Sequence, residues 1–168
     1  HLLRLYAGRR AGERSSILLL LPPRQSPGMI RLSSPVDTPA IMLLWLKSTL
    51  AAHPFIEESY WYESAAMVRD EFLPKAVTWV SCDAAGEIEG FISVLNKQFI
   101  GALFIKETLY GQGVAQRLMQ QAKESFPLLL LEVYQQNHRA VAFYRKEGFL
   151  VVNETVHPGT SLPTWVLR

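Results

Sequence analysis

Leu103-Phe104-Ile105-Lys106-Glu107-Thr108-Leu109-Tyr110-Gly111-Gln112-Gly113-Val114-Ala115 is the stretch on which the reading of this chain turns. Its first three residues close an apolar, strand-like run that begins at Phe99. A short loop follows, and the small-residue turn Gly111 to Ala115 opens an amphipathic helix. Glycines let a backbone approach a ligand closely, and the first helical turn leaves several N–H groups without partners. Those donors, at the positive end of the helix dipole, form a site for a phosphate or pyrophosphate. The stretch therefore predicts a phosphate-bearing cofactor.

Two cofactor classes fit such a loop. The dinucleotide fingerprint G-x-G-x-x-G/A finds Gly111 and Gly113, with Glu132 standing where a ribose-binding acid belongs, but its third small residue falls on Gln116. Five residues, Lys106 to Tyr110, also separate the strand from the first glycine, where a dinucleotide turn is tight.

Outward from the turn, the order of elements favours the other class. Met29 to Leu32 reads as a strand, Thr38 as the cap of a helix reaching Ala52 with Pro39 at its start, and Glu57 to Leu73 as a second helix ended by Pro74. Strands are predicted at Val77–Cys82, Ile88–Leu95 and Phe99–Ile105, and a helix from Gly113 to Phe126 with Val114, Leu118, Ala122 and Phe126 on one stripe. Leu128 to Val133 reads as a strand buried on both faces. A helix at Arg139–Glu147 and strands at Phe149–Val156 and Thr164–Leu167 complete the chain. The predicted fold is α/β (α+β), a mixed central sheet of about seven strands in the order β-α-α-β-β-β-α-β-α-β-β.

This pattern resembles the GCN5-related N-acetyltransferase (GNAT) family. That family carries Q/R-x-x-G-x-G/A after its fourth strand; Tyr110-Gly111-Gln112-Gly113-Val114-Ala115 is similar to it except at the first position. Its second signature, L-x-V-x-x-x-N-x-x-A-x-x-[LF]-Y-x-x-x-G-F, is met by Leu131, Val133, Asn137, Ala140, Phe143, Tyr144, Gly148 and Phe149. The resemblance runs from about Met29 to the C-terminus. Within the family, His53-Pro54-Phe55-Ile56, Val133-Tyr134-Gln135 and Leu162-Pro163-Thr164-Trp165 are similar to bacterial enzymes that acetylate lysine side chains of proteins.

The resemblance implies direct attack of an amine on acetyl-CoA in a ternary complex, with protein lysines as the first substrate class and N-terminal or small-molecule amines as the alternative. It implies that backbone amides of Gly111, Gln112, Gly113, Val114, Ala115 and Gln116 hold the cofactor phosphates. Leu103, Phe104 and Ile105 would hold the pantetheine arm and thioester carbonyl at a strand that splays from its neighbour, and Asn137 would contact the same arm or cap the helix after it. Tyr144 is the implied acid for the departing thiolate, since a phenol of pKa about 10 matches such a leaving group. Glu132 is the implied base, acting through water, with Glu107 in reserve; a lysine amine of pKa about 10.4 is only about a thousandth neutral near pH 7.4. Phe55, Trp61, Tyr62 and Phe99 are candidates to line the amine groove. The changed residue Tyr110 motivates a different class, a non-catalytic acetyl-CoA sensor.

Bulk properties bound the partners. At 168 residues and 49% hydrophobic, the chain suits one domain with a full core. No apolar run approaches the roughly 18 residues that span a bilayer, so no membrane partner is expected. Cys82 is the single cysteine, consistent with a reducing cytoplasm. The histidines have no ligand spacing with one another or with Cys82, and no metal is expected. Residues 1–28 hold five arginines and one acid, leaving twelve basic and fourteen acidic residues, net −2, in 29–168. That remainder has no basic stripe for nucleic acid. Residues 1–28 are expected to be a non-native or disordered extension ahead of one N-acetyltransferase domain at 29–168, which would work as a monomer or homodimer.

Overall fold

The computed structural model describes residues 29–168; the expectation for residues 1–28 lies outside them. Seven strands and four α-helices follow the predicted order: β1 (Met29–Leu32), α1 (Thr38–Ala52), α2 (Glu58–Met67), β2 (Val77–Cys82), β3 (Ile88–Leu95), β4 (Phe99–Ile105), α3 (Val114–Ser125), β5 (Leu131–Tyr134), α4 (His138–Lys146), β6 (Val151–Val156) and β7 (Pro163–Leu167). Among the described residues no helix is long and apolar enough to cross a membrane.

The strands form two sheets, one antiparallel in the order β1-β2-β3-β4 and one in the order β5-β7-β6. Alternation along β2 to β4 serves both faces of the first sheet. Val80, Cys82, Phe91 and Ala102 pack against Ile41, Leu44 and Trp45 of α1. Trp79, Ile92, Val94, Ile100 and Ile105 pack against Val114, Leu118, Met119 and Ala122 of α3. The α3 stripe lies where its helical period places it.

The sheets touch through one parallel bridge between Phe99 and Leu130. There Ile100 N–H donates to the Leu130 carbonyl at 2.8 Å, and Leu130 N–H to the Gln98 carbonyl at 2.7 Å. Beyond that point β4 and β5 part, dividing the expected central sheet in two at the strand for which the resemblance implies a splay. The break coincides with a bulge: Ser93 pairs with Ala102 and Val94 with Ile100, leaving Gly101 as the extra residue on β4. A Cβ on Gly101 would lie 2.4 Å from Cζ of Phe72, so only glycine lets that ring cover the bulge. Phe72 itself ends a π-helical turn, Val68–Phe72, that succeeds α2 where an unbroken helix to Leu73 was expected.

Three further differences have local causes. Thr38 does not cap α1; Ser34 closes a capping box with Asp37 over a short 3₁₀ turn, and Asp37 is held by Arg31 at 2.8 Å. Leu128 is exposed, and β5 starts only at Leu131 because Leu130 makes the inter-sheet bridge. Glu132 lies on the exposed face of β5, so that strand is not buried on both sides.

Candidate active site

The parted strands enclose a cleft with two mouths. One mouth, of about 350 Å³, is lined by Leu103, Phe104 and Ile105 of β4, Gly111, Gly113, Ala115 and Gln116 of the turn, and Asn137, Arg139 and Tyr144 of the β5–α4 segment. The other, of about 180 Å³, is lined by His53, Trp61, Glu132, Tyr134 and again Leu103, Phe104, Asn137, Ala140 and Tyr144. Those last five residues form the partition shared by both mouths.

Strand geometry explains why β4 can serve a ligand. Lys106 N–H donates to the Glu89 carbonyl across β3. Alternation then turns the main-chain groups of Ile105 and Leu103 away from β3, toward the gap that β5 has vacated. Phe104 presents its backbone to β3.

Gly111 and Gly113 adopt φ of +81° and +83°, a region L side chains seldom enter, and Gly113 is the N-cap residue of α3. The turn leaves the N–H groups of Gly113, Val114, Ala115 and Gln116 without backbone partners among the described residues, while Arg117 N–H already reaches the Gly113 carbonyl. Gln112 differs from its neighbours. Its N–H donates to the Leu109 carbonyl at 3.2 Å, which removes it from the set of free donors. Val114 contributes only its N–H, because its side chain is buried in the core.

Sequence reasoning did not anticipate Ala52, Arg139 or Lys146, which also line this mouth. The Arg139 guanidinium lies over the Tyr110 ring, 3.7 Å from its centroid. A guanidinium from α4 thus covers the side chain at the position where the Q/R-x-x-G-x-G/A signature begins. The sequence signal is faint: an arginine one residue before Ala140, with nothing to show that it reaches the loop.

Asn137 caps α4 by accepting the Ala140 N–H at 3.3 Å while lining both mouths. Tyr144 is 9% exposed, set edge-on to Phe143 and Phe149. Burial holds its phenol well above the usual value, so it is protonated at neutral pH. Glu132 accepts a short 2.6 Å hydrogen bond from Thr164 Oγ1, which fixes the carboxylate at the rim of the second mouth. Of the four aromatics expected in an amine groove, Trp61 lines it. Phe55 stands behind, edge-on to His53 and Tyr134. Tyr62 is 57% exposed and lies outside the groove, because α2 turns that face to solvent. Phe99 sits at the inter-sheet bridge. Glu107 lines a separate groove beside α1. Among the described residues no group of three or more His, Cys, Asp or Glu side chains could hold a metal ion.

A split α/β sheet with a glycine turn at the parting strands is the architecture of an acyl-CoA N-acyltransferase. Residues 51–159 match the model of the acetyltransferase (GNAT) domain, and the chain belongs to that family of N-acetyltransferases, which use acetyl-CoA. It is 39% identical over 139 residues to the peptidyl-lysine N-acetyltransferase YiaC of Escherichia coli strain K12, covering 83% of this chain and 94% of that protein. Its fold is similar to the solution structure of apo YjaB from Escherichia coli, with TM-score 0.72 and 33% identity over 83% of this chain and 95% of that one. It is also similar to the PaiA N-acetyltransferase of Thermoplasma acidophilum solved with coenzyme A. There the TM-score is 0.69 with 18% identity, over 82% and 96% of the two chains.

Proposed function

We propose that this enzyme transfers the acetyl group of acetyl-CoA to lysine side chains of proteins, with the cofactor in the larger mouth and the lysine in the smaller. The observation that carries this reading is the partition: Tyr144 and the β4 backbone border both mouths, so a thioester from one side and an amine from the other meet beside a protonated phenol. The identity to a peptidyl-lysine acetyltransferase supports lysine as the amine.

On this reading the free N–H groups of Gly113 to Gln116 receive the cofactor phosphates, and Arg139 adds a positive charge beside them. The chain's residues fit the cofactor in kind: backbone donors at one end, apolar strand surface along the arm, and Asn137 between. The Ile105 N–H faces the gap and is placed to donate to the oxygen that gains charge as the carbonyl is attacked. Glu132 meets the arriving ammonium at the rim, where its carboxylate lines the way by which the proton leaves to water. The nitrogen bonds to the carbonyl carbon, the carbon–sulfur bond breaks, Tyr144 gives its proton to the thiolate, and the proton that the nitrogen sheds on becoming an amide returns the phenoxide to phenol. The desolvation that raises the phenol also raises the proton affinity of a thiolate in the same cleft, so the two stay matched. The cleft is complete within one chain, which suits a monomer or a homodimer. A cytoplasmic setting fits a single, buried cysteine.

The test is CoA release from residues 29–168 with acetyl-CoA and an N-terminally blocked lysine peptide. Release that requires the peptide, and falls at least about tenfold in Tyr144→Phe, is expected. Acetyl-CoA binding without turnover on any amine would instead describe a sensor.

A further inference from the structure

The smaller mouth holds a histidine that the scheme above does not use. His53 ends α1, and its Nδ1 lies 2.7 Å from the carbonyl oxygen of Thr49, with Thr49 Oγ1 at 3.2 Å. A carbonyl can only accept, so Nδ1 carries the proton and the lone pair of the neutral ring is on Nε2. Nε2 makes no hydrogen bond among the described residues, nor is it among their buried, unpaired nitrogens. It is therefore not fully buried, and His53 lines the smaller mouth. The ring is clamped in place, stacked on Trp61 with centroids 4.8 Å apart and met edge-on by Phe55 and Tyr134. The one buried, unpaired indole N–H nearby belongs to the same Trp61, which lines the same mouth.

We infer that His53 Nε2 is the group that takes the proton from the acceptor amine. The inference rests on the acetyl-transfer reading and deepens it: Glu132 meets the cation at the rim, and His53 receives the proton inside. The steps balance. The ammonium gives one proton to Nε2, which releases it to water past Glu132. The neutral amine nitrogen bonds to the thioester carbon and the carbon–sulfur bond breaks. The nitrogen then loses its second proton as the thiolate gains one from Tyr144, and the phenoxide is refilled, for a net release of one proton per turnover.

Burial lowers the affinity of the His53 ring for a proton below the usual histidine range, which keeps the ring in its basic form at neutral pH. The aromatic walls act on the amine in the same direction, since desolvation disfavours the ammonium. The other titratable groups facing this ring are Tyr134 on β5 and, along the cleft, Glu132 and Tyr144. His157 approaches Tyr134 and Tyr60 from the far side. His157→Asn and Glu132→Gln serve as controls for any pH dependence assigned to His53.

The experiment is the pH dependence of kcat/KM on a blocked lysine peptide for wild type, His53→Asn, His157→Asn and Glu132→Gln, with acetyl-CoA affinity and melting temperature measured for each. His53→Asn keeps an N–H where Nδ1 was and loses the base. The expected result is a fall of roughly 100-fold at neutral pH in His53→Asn, loss of the acidic limb, and partial rescue by added imidazole, with acetyl-CoA affinity unchanged. The limb should persist in His157→Asn and Glu132→Gln. A His53→Asn enzyme that retains the wild-type limb, whether or not its rate is lower, or that ignores imidazole, overturns the inference and leaves His53 a packing residue. A wild type with no amine-dependent CoA release overturns the acetyl-transfer reading itself.

Discussion

Arg139 and Tyr110 form a cation–π pair at 3.7 Å that ties the start of α4 to the loop before α3. Tyr110 stands where the family signature has Arg or Gln, and on the proposed reading the pair sets a positive charge beside the cofactor phosphates while the ring holds it in place. Arg139→Gln is expected to weaken acetyl-CoA binding three- to tenfold and to flatten its dependence on salt, read by calorimetry at low and high ionic strength. Tyr110→Leu should show part of the same loss, because the guanidinium loses its platform.

Glu132 sits at the rim of the smaller mouth, its carboxylate held by Thr164. Glu132→Gln should lower kcat/KM on a lysine peptide about tenfold and leave acetyl-CoA affinity unchanged. The loss should be smaller for a peptide whose acceptor is its α-amine, since that group, with pKa near 8, needs less help to become neutral. Parallel steady-state measurements on the two peptides check this.

The bulge at Gly101 is where β4 turns from β5, and Phe72 closes over it. Gly101→Ala forces that ring aside. Overpacking of this kind costs about 1–3 kcal/mol, a fall in melting temperature of roughly 3–10 °C for a domain of this size. Activity should fall further than stability alone explains, because the cleft depends on the divergence.

Asp37 is held by the Arg31 guanidinium and the Ser34 N–H, which lower its carboxyl to about 2 from 3.8. A depressed carboxyl stabilises the folded state above its unfolded pKa, and the contribution is lost as pH falls through the folded one. The pair is therefore fully effective above about pH 4 and spent near pH 2. Arg31 is solvent-facing and screened, so the contribution is small. Denaturant titrations of wild type and Arg31→Gln should differ by a small margin at pH 6 and converge as pH approaches 2.

The parts of this fold that were legible in the sequence are those fixed by local chemistry. Strands β2, β3 and β4 lie where their apolar alternation and turns predict, and the stripe Val114, Leu118, Ala122 is buried as its spacing requires. The positive φ values at Gly111 and Gly113 follow from a turn only glycine makes easily. What escaped depends on partners distant in sequence. The splay of β4 from β5 was implied by the resemblance alone; the bulge at Gly101 and the Phe72 ring over it are residues that do not announce one another in the sequence. The engagement of Gln112 N–H with Leu109 is a matter of turn geometry that side-chain identity does not encode. Arg139 begins a predicted helix and His53 opens a stretch quoted for the resemblance, but nothing in the sequence shows that the fold brings them to Tyr110 and to Trp61.

The central claim, transfer to a lysine side chain at the partition, is tested most directly by one competition. A peptide bearing both a free α-amine and a single internal lysine is incubated with acetyl-CoA and enzyme, and the acetylated position is mapped by tandem mass spectrometry. Acetyl on the lysine Nζ, absent with Tyr144→Phe over the same interval, is the predicted result. Acetyl confined to the α-amine, or an unmodified peptide beside an enzyme that turns over a small amine, would contradict it.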